Sequence, residues 1–219
     1  MNEYHELWQR LDVVNLTRDA RDRIRWAWEA NGTYSAESAY MTKFMGREVI
    51  PYADTVWKHR APLQCRFFTW FAMRNHCWTS DRLAQRGLPH QPSCPLCDQH
   101  TESIRHILLN CVPSRTVWAR ICTALGRLDQ ALGLANELVE WCTMRQCGTC
   151  SPKDLKAIIT LTLWELWKHR NDVVFDGAPP STRQVIKNID HEARTWRTTG
   201  LLEGDLDSFG RMSTWDDSE

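Results

Sequence analysis

A chain of 219 residues with 27 basic and 27 acidic side chains carries no formal net charge, which excludes a protein that grips nucleic acid by bulk charge alone. Hydrophobic residues make up 42% and charged ones 25%, ordinary for one globular domain or two small ones, and no apolar run is long enough to span a bilayer. The polar amino terminus, MNEYHELWQR, lacks the features of a secretory signal, so the nine cysteines read as reduced thiols of a nuclear or cytoplasmic protein, not a secreted one.

In chain order, residues 1–22 read as a peripheral helix and linker, with Leu7, Trp8, Leu11 and Val14 at near-helical spacing. The period then changes. Ile24, Trp26, Trp28 and Ala30 alternate with Arg23, Arg25, Ala27 and Glu29 and run into Asn31-Gly32, which predicts a small β-hairpin whose second arm is Thr33 to Ser35. Ser35 caps a helix to about Phe44, with Glu37 in its first turn. After a loop containing Pro51, Ala61-Pro62 opens the most apolar helix of this half. Leu63, Phe67, Phe68, Trp70, Phe71 and Met73 cover most of its circumference and predict a central core helix. Packing is the plain role of these rings; a platform on which bases stack is the alternative. A short helix from Asp81 to Arg86, capped by Thr79 or Ser80 and ended by Gly87, leads towards Cys94.

From Cys94 to Cys111 the sequence is CPLCDQHTESIRHILLNC. Cys94, Cys97, His106 and Cys111 offer three thiolates and one imidazole, a complete tetrahedral set for one zinc ion. Cys94-Pro95-Leu96-Cys97 is a tight turn able to aim two sulfurs at one point, and a short helical turn from Glu102 to Leu109 presents His106 ahead of Cys111. His100 is the competing imidazole, but it follows Cys97 too closely to leave chain for wrapping the ion. Four protein ligands leave no position for substrate water, so the expected role of the zinc is structural. Pro113 then opens a helix to about Leu125, with Val117, Trp118 and Ile121 on one face.

These stretches also carry a family resemblance. Tyr34 to Tyr40 (YSAESAY), Val56-Trp57-Lys58, Ala61 to Trp70 (APLQCRFFTW), the four metal ligands with Glu102-Ser103-Ile104-Arg105-His106 between them, and Val117-Trp118 resemble the zinc-binding domain that follows the reverse transcriptase of plant non-LTR retrotransposons. The resemblance covers about residues 24 to 126 and implies a nucleic-acid-binding accessory module of retrotransposon origin. Leu163 to Phe175 (LWELWKHRNDVVF) is similar to the segment that in such elements leads toward a ribonuclease H domain. Neither the polymerase nor the ribonuclease H domain is read in this sequence.

Beyond residue 126 the signals first weaken. Asn136 to Met144 reads as a helix, and Cys142, Cys147 and Cys150 have spacings that suggest a second metal but find no nearby fourth ligand. Ser151-Pro152 then starts a long helix that is apolar on several faces, including Trp164 and Trp167, and so demands a partner helix or a partner protein. The helix from Ser181 to about Trp196 is its internal partner, across the turn Gly177-Ala178-Pro179-Pro180. The expectation is a mainly α fold: short helices around a structural zinc site, a β-hairpin near the amino terminus and a carboxyl-terminal helical pair. Its parts are residues 1–22, a zinc-binding domain at 23–126, a helical region at 127–200 and an acidic, disordered tail at 201–219.

No catalytic constellation emerges. Asp54 stands alone in its loop, and His76 and Cys77 are sequence neighbours whose side chains diverge, so Cys65 and Cys77 gain no base. Charge is uneven, however: from Thr55 to Arg127 ten basic residues face three acidic ones. Lys58, Arg60, Arg66, Arg74, Arg82 and Arg86 are the candidate contacts to RNA or another single strand, and Trp78 a candidate for stacking. The other reading is a domesticated host protein, a zinc-stabilised scaffold that binds another protein through Trp164 and Trp167.

Overall fold

The computed structural model describes residues 2–12, 24–46, 50, 52–126, 138–143 and 150–204, and it divides into two compact units, Met1–Val49 and Ile50–Glu219. The expectations for the tail beyond residue 204, for Cys147 and for the link before Ile24 lie outside the described residues.

The first unit contains α1 (Asn2–Leu11) and α2 (Ala36–Thr42). Ser35 caps α2 as its sequence predicts, its hydroxyl accepting the Ser38 N–H at 3.1 Å. The predicted β-hairpin does not form, and no strand is present among the described residues. Instead the chain closes a loop in which Trp26 N–H donates to the Gly32 carbonyl at 2.8 Å and Gly32 N–H to the Glu29 carbonyl at 3.0 Å. Asn31-Gly32 does turn the chain, with Gly32 at φ +71°. The alternating apolar residues nevertheless have no sheet to face. Ile24 is fully exposed, and Trp26 turns its indole N–H onto Ser38 Oγ at 2.8 Å. The intended second arm is three residues long and ends in Ser35, already committed to α2, so no ladder can extend.

The second unit holds α3 (Ala53–Trp57), α4 (Leu63–Met73), α5 (Ser80–Gln85), a π-helical turn (His106–Asn110), α6 (Val112–Ala124), α7 (Leu138–Thr143), α8 (Pro152–Phe175) and α9 (Thr182–Thr198). Its centre is α8, which packs against α4, α7, α9 and the π turn. Leu155, Ile158, Ile159, Leu161, Leu163 and Leu166 are all essentially inaccessible, which explains a helix apolar on several faces: each face has its own neighbour. Burying one such side chain contributes about 1.5–3 kcal/mol. The start of α8 follows from local chemistry. Ser151 Oγ accepts the Asp154 N–H at 3.1 Å, Pro152 sits in the first turn, and the buried Asp154 carboxylate also takes the Glu203 and Gly204 N–H groups, each at 3.2 Å. Ser181 caps α9 in the same way, and its own N–H donates to His169 Nε2 at 2.9 Å, pinning the turn back onto α8.

Helix α4 buries one face. Cys65, Phe68, Thr69 and Ala72 point inward at helical spacing, and Phe68 lies 5.5 Å from both Trp164 and Trp167. Leu63, Phe67 and Phe71 form its outward row. No described helix is long and apolar enough to cross a membrane.

Between α3 and α4, His59 is buried with one ring nitrogen 2.9 Å from Thr160 Oγ1 and the other, Nδ1, without a partner. Burial, reinforced by the charges of Arg66 and Lys156, lowers its pKa from 6.5 to about 4. The unfolded chain therefore binds a proton there before the folded one does. The stabilisation is complete above about pH 6.5 and is lost as pH falls toward about 4, on the order of 3 kcal/mol in total. The His59 ring protons should titrate by NMR with a midpoint near 4, and His59→Gln should flatten stability between pH 6.5 and 4. An ordinary midpoint near 6.5 contradicts this account.

Candidate metal centre

The four candidate ligands converge. Sγ of Cys94, Cys97 and Cys111 and a ring nitrogen of His106 all lie within 4.8 Å of one another. The turn Cys94 to Cys97 is set by a backbone knuckle: Cys94 N–H donates to the His100 carbonyl and Asp98 N–H to the Cys94 carbonyl, both at 2.8 Å. Asp98 takes a left-handed φ of 51° to close it, and Ser93 bridges Thr101 across its base. His100 contributes its carbonyl, not its imidazole, which stays exposed outside the cluster.

The other pair needs a different device. Residues five apart on an α-helix point about 140° away from each other. The helical turn expected from Glu102 to Leu109 accordingly widens into a π turn over His106–Asn110, with Cys111 N–H donating to the His106 carbonyl at 2.7 Å. Its extra residue per turn brings His106 and Cys111 to one side. Two carbonyls of the turn are taken up by α6: Trp118 Nε1 donates to Leu108 O at 2.7 Å, and the Ser114 hydroxyl donates to Ile107 O. Ile107, Leu108 and Leu109 are wholly buried, so the metal turn is itself part of the core.

The spacing suits a tetrahedral ion. Sulfur at about 2.3 Å and nitrogen at about 2.0 Å from a common centre stand about 3.8 Å (S to S) and about 3.5 Å (S to N) apart. Two of the six observed separations match these values, 3.8 Å between Cys94 and Cys111 Sγ and 3.4 Å between Cys97 Sγ and His106 Nε2, and all lie within 4.8 Å. The cluster also concentrates negative charge. The Cys111 thiol holds Cys94 down at about 4, the Cys94 thiolate in turn pushes Cys111 up, and contact with Cys94 and Cys97 raises His106. A soft divalent cation would replace these shared protons.

A buried ion pair underlies the site. Glu102, 2% exposed, accepts from Ser80 N–H at 3.1 Å, from the Ser80 hydroxyl, and from Arg170 Nε of α8 at 2.6 Å. The Arg170 guanidinium also lies 5.3 Å from the Trp167 ring. Both residues fall within the stretches that carry the resemblance, yet nothing in the sequence pairs them; a buried acid must find a cation, but burial is visible only in three dimensions.

The remaining predicted residues scatter. Lys58 is exposed and paired with Asp54 at 2.5 Å, and Arg60 is paired with Glu203. Arg66 donates to the Trp57 carbonyl at 2.8 Å, and Arg82 to Gln85 at 2.8 Å. Arg74 lies 5.8 Å from the Trp70 ring, and Arg86 sits 4.2 Å over the exposed Trp78. Trp164 and Trp167 are half-buried on Phe68. Cys65, Cys77 and Cys142 are buried and pushed up to about 12 by that burial, which leaves them inert thiols. Among the described residues no second cluster of His, Cys, Asp or Glu gathers around Cys142 or Cys150.

Fold and site together define a mainly helical protein with a largely buried Cys3His cluster. Residues 34–118 match the family described as zinc-binding in reverse transcriptase, a span that includes all four donors. The chain thus carries a zinc-binding domain of the reverse-transcriptase type, in keeping with retrotransposon origin. It is 26% identical over 183 residues to an Arabidopsis thaliana protein named "Putative ribonuclease H protein", an alignment covering 81% of this chain and 29% of that relative. The chain therefore spans less than a third of the relative's length. No solved structure matches it.

Proposed function

We propose that the Cys3His cluster holds one structural zinc ion and that the chain is a non-catalytic module that binds RNA or another single-stranded nucleic acid. The observation that carries the first part is the donor set: three sulfurs and one nitrogen within 4.8 Å of one another, all but Cys97 from buried residues, suffice for the four-coordination of zinc and leave no place for a reacting water. Support for the second is the uneven charge. From Thr55 to Ser80 there is no acidic residue, while Lys58, Arg60, Arg66 and Arg74 fall in that stretch and Arg82 and Arg86 follow. Zinc fixes the loop that precedes α6, and with Arg60 held by Glu203 and Arg66 by the Trp57 carbonyl, Lys58, Arg74, Arg82 and Arg86 are the cations left to meet phosphates.

A protein-interaction scaffold working through Trp164 and Trp167 has less to stand on, because both rings already pack on Phe68. A labelled single-stranded RNA should bind with an affinity that falls with salt at a log–log slope of about −2 to −4, the signature of a few phosphate contacts. Lys58→Ala, Arg82→Ala and Arg86→Ala combined should make that slope shallower. Affinity independent of salt, or no binding, would overturn the nucleic-acid reading and leave the zinc reading standing.

A further inference from the structure

We propose that the outward face of α4 is the surface on which the bases of a single strand stack, an inference that rests on the nucleic-acid reading above and gives it a location. The core claims Phe68 from this helix and leaves Phe67 and Phe71 45% and 47% exposed, one turn apart, in line with Leu63. The two phenyl rings are stacked, 6.5 Å between centroids and 26° between planes. Trp57 of α3 meets Phe67 edge-on at 5.1 Å and lies 5.7 Å from Trp70, which in turn contacts Tyr52 at 6.1 Å. Four rings from two helices, with Tyr52 just ahead of α3, thus form one continuous aromatic cluster. A surface of this kind left open to water marks a site of contact.

Charge selects the occupant. Helix α4 has no acidic residue, and Arg74, at its carboxyl end, lies 5.8 Å from the Trp70 ring without an ion pair among the described residues. Lys58, at the end of α3, adds a second cation, although Asp54 shares it. An apolar protein helix would cover the rings and strand the guanidinium. An acidic peptide would pair with the guanidinium but offer the rings no flat face. A single strand supplies both unsaturated planes and an anionic backbone, and base stacking on aromatic side chains tolerates any sequence.

The test uses the full zinc-loaded chain and a short oligouridylate containing one 2-aminopurine. Phe67→Leu with Phe71→Leu, which keeps the face apolar but removes the rings, should weaken binding by roughly tenfold or more and abolish quenching of the 2-aminopurine. Salt slope and zinc content should stay as they are, whereas Arg74→Ala should make the slope shallower by about one phosphate contact. If the wild-type chain binds with the expected salt slope and the leucine variant binds within about twofold of it, the stacking face is wrong while the nucleic-acid reading survives. Equal affinity for duplex has the same meaning. Absence of any salt-dependent binding by the wild type sinks both. Dimerisation that the leucine variant abolishes would assign the face to a second copy of the chain and overturn the proposal. Should the variant lose helix content, photocrosslinking of 4-thiouridine RNA to the wild type decides: adducts on Trp57, Phe67 or Phe71 support the face, and adducts confined elsewhere refute it.

Discussion

Metal analysis of the purified, reduced chain is expected to return one zinc per molecule, with Cys111→Ser or His106→Ala returning none and His100→Ala still returning one. The first two changes remove donors from the buried cluster, whereas His100 lends only its backbone carbonyl to the knuckle. The effect on stability should be large. Binding of a structural zinc contributes on the order of 10 kcal/mol at neutral pH in isolated fingers, and here the ion would tie together a turn whose residues Ile107, Leu108 and Leu109 are core. Chelation should accordingly broaden or abolish the cooperative unfolding transition followed by circular dichroism. A reduced chain that stays folded with no bound metal, or that keeps one zinc in Cys111→Ser, would refute the metal centre.

The second large effect is expected at the Glu102–Arg170 pair. Arg170→Met alone leaves Glu102 buried beside Ser80 without its counter-charge, and Glu102→Leu alone leaves Arg170, itself 4% exposed, equally stranded. Each should cost about 3–5 kcal/mol in urea unfolding of the zinc-loaded chain, while the double change should cost much less than their sum, because two apolar side chains replace two desolvated charges. Additive losses, or single losses under about 1 kcal/mol, would show that water reaches the pair and that it is not structural.

How much of this was legible in the sequence depended on how local the chemistry is. The donor set at Cys94, Cys97, His106 and Cys111 could be read because thiolates and imidazole at such spacing have one plain use, and Ser151-Pro152 could be read because a cap acts within one turn. The π turn could not. It depends on the five-residue separation of two ligands together with Trp118 and Ser114, which arrive from the next helix to take the turn's carbonyls. Alternation from Ile24 to Ala30 misled because a period of two specifies a face without supplying a sheet to bury it, and the capping of α2 took Ser35 first. The basic residues were visible as charges, but their availability was not: Arg60 is taken by Glu203 and Arg66 by the Trp57 carbonyl, partners that only folding brings near.

The bond between Glu102 and Arg170 also bears on where the folded unit ends. A chain cut anywhere between Leu125 and Ser151 would keep every zinc ligand yet lose α8, and with it both the cation that neutralises Glu102 and the core that buries it. Two stretches 68 residues apart therefore stand or fall together, and the metal motif alone does not mark the limits of the folded unit.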